Sequence, residues 1–192
     1  MSSSVSTDPP PSPAPAAPVR RRRRLLSLAV GVLLAAGLWL ALTSFTAAPP
    51  HKAPPFSLPR LGGGPRVRVP LVGEGAHDPV VVTFFASWCG PCHKDLPIIA
   101  QVARRARAAR ETVRFVGVDD NDAPASGLAF ARSSGVDFPV GRDALSLVAP
   151  TLGVAWNPTT VFIDGNGTIA ETVRGPISAT ALQAGISRID QT

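Results

Sequence analysis

The chain has 192 residues, enough for one domain of ordinary size with appendages. Its formal charge of +6 does not describe a nucleic-acid surface, because five of the 19 basic residues form a single block at positions 20–24. From residue 25 onward 14 basic side chains face 12 acidic ones with no basic groove among them, so no nucleic-acid partner is expected. Only two cysteines are present, which excludes a disulfide-stapled scaffold.

Residues 1–18 are mostly Ser, Pro and Ala without helical or strand period. Such a stretch has too little apolar surface to offset the entropy of ordering. Residues 1–24 therefore read as a disordered tail ending in the arginine block. Residues 25–42 follow with no charge and one hydroxyl, Ser27. As a helix they span roughly 27 Å, close to the thickness of a thin bilayer. Extended to residue 46, this segment (25–46) reads as a transmembrane anchor. Trp39 lies near its far end, and the arginines at its near end place the tail in the cytoplasm. The competing reading is a cleaved secretory signal ending at the weak small-residue site Thr46-Ala47-Ala48. Both readings put the rest of the chain on the extracytoplasmic side of the cell membrane. Residues 47–55, AAPPHKAPP, read as a proline-rich tether, leaving 56–192 as the folded domain.

Within that domain, residues 67–71 suggest an edge strand. Residues 80–85 (VVVTFF) form a short apolar run suited to a strand buried on both faces. A helix is predicted after Cys92, with Leu96, Ile99, Ala103 and Ala106 on one face and Pro97 as a kink. Residues 113–118 (VRFVGV) predict a second buried strand, ending in an acidic turn at 119–122. A short helix is expected over 126–134, a small strand over 138–140, and a helix capped by Asp143 running to about Leu152. Residues 159–163 (TTVFI) read as a strand, Asp164-Gly165-Asn166-Gly167 as a hairpin turn, and 168–174 as its returning strand. An amphipathic helix over 177–189 closes the chain. This order predicts an α/β domain with a mixed sheet.

The chemistry concentrates at Trp88-Cys89-Gly90-Pro91-Cys92. A structural disulfide between residues three apart closes almost no loop and so stabilises little. Zinc needs about four ligands, and no second Cys or His cluster supplies them, so no metal site is expected. A dithiol at a strand-to-helix junction outside the cytoplasm is best explained as a redox pair. Placed at the start of the helix, Cys89 gains from free amides and the helix dipole as a thiolate, and Cys92, one turn in, resolves the mixed disulfide. Gly90 and Pro91 suit the first turn, where proline sacrifices no helix hydrogen bond. Cys89 to His93 also spells the attachment motif of c-type haem, with His93 as axial ligand. Met1 is the only methionine, so a second ligand would have to be His51 or His77. The redox pair is preferred and no cofactor is expected.

These residues resemble the thioredoxin superfamily, and within it the membrane-tethered TlpA/ResA-like reductases associated with cytochrome c maturation. The resemblance is carried by TFFASWCGPC (83–92), Pro97, GVDFPV (135–140) and WNPTTVFID (156–164) with Gly167, and it is joined by PPFSLP (54–59). It implies a thioredoxin-like fold, a central mixed sheet flanked by helices, with an inserted helix–strand unit over 120–150. It further implies that Pro158 is cis and faces the cysteines, that the Asn157 backbone pairs with a substrate peptide, and that Trp88 shields the disulfide. Two positions depart from relatives. Thr83 stands where cytosolic thioredoxins carry a buried acid, and Asp95 stands where the tethered reductases carry Glu. Asp95 either tunes the thiols and relays a proton, or is an exposed acid near a helix start.

The resulting expectation is a thiol–disulfide oxidoreductase that takes electrons from an integral membrane donor and reduces disulfides of exported proteins, apocytochromes c among them. The alternatives are a disulfide-forming oxidase of the same fold and a non-catalytic binding or haem-carrying module.

Overall fold

Strand β3 (Val80–Phe85) is buried at all six positions and organises everything around it. The structure, a computed structural model, describes residues 51–69 and 78–190. The expected tail and anchor (1–24 and 25–46) lie outside the described residues, among which no helix is long and apolar enough to cross a membrane. The elements in chain order are β1 (Phe56–Leu58), β2 (Val67–Val69), β3, α1 (Cys92–Ala108), β4 (Arg114–Asp120), α2 (Pro124–Ser133), β5 (Val140–Asp143), a 3₁₀ turn (Ala149–Leu152), β6 (Thr159–Ile163), β7 (Ile169–Arg174) and α3 (Ala179–Ile189).

The main sheet has the order β5-β4-β3-β6-β7. β4 runs parallel to β3 and β5 parallel to β4, whereas β6 and β7 are antiparallel to their neighbours. Because successive side chains of a strand alternate faces, β3 divides its apolar residues between two cores. Val81 and Phe85 join one with Leu96 and Ile99 of α1, Phe130 of α2, and Leu182 and Ile186 of α3. Val80, Val82 and Phe84 join the other, covered by the small β1–β2 sheet and the 3₁₀ turn. The unit inserted between β4 and β6 is α2 with β5, as the resemblance implied, and it widens the sheet by one strand.

Several expected boundaries move, each for a tertiary reason. β4 continues through Asp119 and Asp120, read above as a turn, because both pair with Arg142 and Asp143 of β5. The carboxylate of Asp143 does cap, accepting the amides of Leu147 (2.9 Å), Val148 (2.7 Å) and Ala149 (3.3 Å), but only a single 3₁₀ turn follows. The last helix starts at Ala179, two residues later than expected, with Ser178 as its cap accepting the amide of Ala181. Residues 51–53, read as part of the tether, are paired with the β6–β7 hairpin: Ala53 donates to the Gly167 carbonyl and Ile169 donates to that of His51, both at 2.9 Å. Ala53 is buried, so the domain begins before residue 56.

Close approach requires glycine at positions 127 and 141, among others. A Cβ at Gly141 would stand 2.7 Å from the Cβ of Leu58, where β1 crosses β5, and a Cβ at Gly127 would overlap the Asp119 carboxylate. α2 therefore packs onto the end of β4 only because Gly127 has no side chain.

Candidate active site

β3 delivers the chain to one end of the sheet, and residues 86–91 form a turn before α1 begins at Cys92. The helix thus starts at the second cysteine, and Cys89, expected at its N-terminus, lies in the turn before it. Gly90 and Pro91 lie in the turn that precedes it, with Cys92 donating its amide to the Cys89 carbonyl at 3.0 Å. Cys89 and Cys92 are joined in a disulfide with S–S 2.04 Å and Cα–Cα 5.3 Å. Cys92 is fully buried, and Cys89 keeps 4% of its surface in solvent. The Cys92 amide also lies 3.3 Å from Cys89 Sγ, so a helix-end N–H is aimed at the sulfur that must carry negative charge when reduced.

Trp88 is 61% exposed and donates its indole N–H to the Asn121 carbonyl at 3.0 Å. The Asn157–Pro158 bond is cis, in agreement with the expectation, and β6 follows at once from Thr159. Asn157 donates its side-chain amide to Asp120 Oδ2 at 3.1 Å.

Asp95 is buried, only 2% exposed, so the reading as a surface acid fails. Its Oδ1 accepts the amide of Ile177 at 2.6 Å. Burial pushes the Asp95 carboxyl up to about 6, against the opposing pull of that hydrogen bond. Thr83 is buried in β3 and supplies no carboxylate. Asp95 is therefore the carboxyl that α1 itself carries beside the cysteines, one turn beyond Cys92.

His93 is exposed, with Nε2 2.9 Å from the Ser87 carbonyl and its ring 4.4 Å from that of Phe130.

Sequence reasoning missed a group of acids at the end of β4. Asp122 accepts the amide of Ser87 (2.5 Å), its hydroxyl (2.9 Å) and the amide of Ala123 (2.7 Å), holding the turn that carries Trp88. Asp120 reaches the other wall through Asn157. Asp119 is fully buried on the helical face, and burial together with the adjacent Asp122 charge pushes it up to about 7, partly offset by Arg142. A signal was present: four polar residues, DDND, directly after a buried strand at the carboxyl end of a parallel sheet, where α/β proteins place their sites.

A cleft of about 360 Å³ lies between α1, β4 and residues 137–139, another of about 500 Å³ lies between α1 and α3, and neither is lined by a cysteine.

Comparison with known proteins agrees with this geometry. Residues 49–172 match the AhpC/TSA family. The thiol-disulfide oxidoreductase ResA of Bacillus thuringiensis (strain Al Hakam) is 26% identical over 138 residues, covering 72% of this chain and 76% of that protein. A thiol:disulfide interchange protein DsbE homolog of Paracoccus denitrificans (strain Pd 1222) is 33% identical over 113 residues, 57% of this chain and 59% of its own. The structure of MTB dsbF, in mixed oxidized and reduced forms, superposes with a TM-score of 0.60 at 29% identity, over 70% of this chain and 94% of that one. The chain belongs to the AhpC/TSA family, and within that thioredoxin-like fold it is a thiol–disulfide oxidoreductase.

Proposed function

We propose that this protein is a membrane-anchored, extracytoplasmic reductase that opens disulfides in exported proteins, apocytochromes c among them. The observation that carries the reading is the Cys89–Cys92 pair itself, with the Cys92 amide aimed at Cys89 Sγ. In the reduced protein the Cys89 thiolate attacks one sulfur of the substrate disulfide, forming a mixed disulfide and releasing the other substrate sulfur as a thiolate that takes up a proton. Cys92 then loses its proton and attacks Cys89 Sγ. The Cys89–Cys92 disulfide forms and the second substrate sulfur leaves as a thiol. Two electrons and two protons pass to the substrate.

Roles follow from placement. Cys89 is the nucleophile and Cys92 the resolving thiol. Asp95 is the buried carboxyl that takes and returns the Cys92 proton. Trp88 and the Asn157–Pro158 edge receive the substrate backbone, and Gly90 and Pro91 shape the turn between the sulfurs. Each cycle ends with the oxidised pair, so an integral membrane dithiol donor must restore the thiols. The arginine block and apolar segment at 20–46 support the membrane attachment and an extracytoplasmic catalytic domain.

The test is the midpoint potential of the full chain in detergent, equilibrated with dithiothreitol or glutathione buffers. A value near or below roughly −270 mV, that of thioredoxin, is expected for a reductase. A value near about −120 mV, that of strong oxidants, would reverse the direction and make disulfide formation the activity.

A further inference from the structure

Among the described residues, the large apolar side chains exposed to solvent are Trp88, Leu145, Leu147 and Trp156. Scattered exposed apolar residues need no explanation, but these four are not scattered. Trp88 is bonded to Asn121, next in the chain to Asp120. Trp156 precedes Asn157, which is bonded to Asp120 Oδ2. Leu145 and Leu147 flank Ser146, whose hydroxyl donates to Asp120 Oδ1 at 2.7 Å. One carboxylate, only 8% exposed, thus ties together the segments that carry Leu145, Leu147 and Trp156, and Trp88 is bonded to the residue that follows it.

The loop that presents the two leucines is held rather than loose. Asp143, buried at its base, accepts three successive amides from Leu147 to Ala149. Ser146 turns inward in the left-handed region, with φ 51°, which costs a non-glycine residue energy and is compensated here by its bond to Asp120. With Ser146 inward, Leu145 and Leu147 stand outward, 75% and 68% exposed. Two buried carboxylates therefore fix a short loop whose outer surface is two leucines, beside the cis-proline edge.

We propose that Leu145 and Leu147 are a specificity arm that grips bulky apolar side chains of an extended disulfide-bearing polypeptide, and that Asp120 is the positioning residue joining this arm to Asn157–Pro158. The proposal rests on the thiol–disulfide reading above and narrows its substrate: unfolded segments with apolar residues near the cysteine, in preference to polar segments or small disulfides.

The experiment uses the full chain, reduced, in detergent, with two disulfide peptides of equal length and charge. One carries Leu and Phe beside the cysteine, the other Gly and Ser. The wild type is expected to favour the apolar peptide on the order of tenfold in kcat/KM, mainly through KM. In the Leu145→Ser/Leu147→Ser variant the two peptides become equal within about twofold, while the midpoint potential of the cysteine pair stays where it was. Asp120→Ala shows the same loss of preference. Asp120→Asn restores it, because asparagine keeps an oxygen for the Asn157 amide and offers an N–H₂ to the Ser146 hydroxyl. A wild type that treats the peptides alike overturns the proposal, as does an equal loss on both peptides in the leucine variant. A dimer that dissociates in the leucine variant overturns it too, assigning the arm to self-association. A wild type that reduces neither peptide defeats the oxidoreductase reading itself, a result distinct from all of these. The leucines are surface residues, so their variant remains informative even where Asp120→Ala fails to fold.

Discussion

The carboxylate of Asp95 accepts the amide of Ile177 at 2.6 Å, tying the first helix, one turn past Cys92, to the segment that leads into the last. An acid so buried, with its pKa near 6, changes charge close to the pH at which exchange takes place. In Asp95→Asn the limb of the pH–rate profile centred near pH 6 is expected to vanish, with kcat/KM lower by about tenfold or more at neutral pH. Stopped-flow tryptophan fluorescence of peptide-disulfide reduction between pH 4.5 and 9 measures both. A profile that keeps its limb near pH 6 would remove Asp95 from proton transfer.

Asp119 gives a stability prediction of definite sign. In the unfolded chain it loses its proton near 3.8, and in the folded protein near 7. Between those values the folded state alone holds the proton, so this group makes stability fall as pH rises from about 4 to about 7, then leaves it level. Asp119→Asn is neutral throughout. It is expected to gain on the order of 2–4 kcal/mol over the wild type at pH 8 and nothing at pH 4. Urea titrations at the two pH values check the difference.

Gly127→Ala places a methyl group into the Asp119 carboxylate, and Gly185→Ala places one into the ring of Phe162. Both glycines lie inside helices, where alanine on propensity alone would add up to about 1 kcal/mol. The overlap reverses that sign, and each variant is expected to lose about 1–3 kcal/mol, read from its thermal midpoint.

Cys92→Ser leaves the outer thiol without its resolving partner. It is expected to accumulate a mixed disulfide with a peptide or protein substrate, visible on a non-reducing gel and cleared by dithiothreitol. Cys89→Ser should form no such adduct and lose exchange by more than about a hundredfold. Adducts formed through Cys92 in the absence of Cys89 would invert the assignment.

Much of this domain was legible beforehand because its strands are short apolar runs closed by turn residues. Residues 80–85 and 159–163 fall where the pattern put them, and the cysteine pair stands at the strand-to-helix junction. What escaped were features decided by distant partners. Asp119 and Asp120 look like a turn by composition and become strand because β5 pairs with them. Asp95 looks like a surface acid until the amide of Ile177, 82 residues later, arrives beside it. Asp122 and Asp120 hold the two walls of the site by side-chain hydrogen bonds to Ser87 and Asn157, and no local periodicity encodes those contacts.

The pairing of residues 51–53 with the β6–β7 hairpin has a directional consequence. Val80, at the start of β3, lies opposite Ile163, just before the hairpin turn, whereas the cysteines follow Phe85 at the strand's other end. Six extended residues, about 20 Å, separate those two poles. The chain thus enters the domain at the pole the disulfide does not occupy. The redox pair and the point where residues 51–53 join the sheet therefore stand at opposite ends of β3.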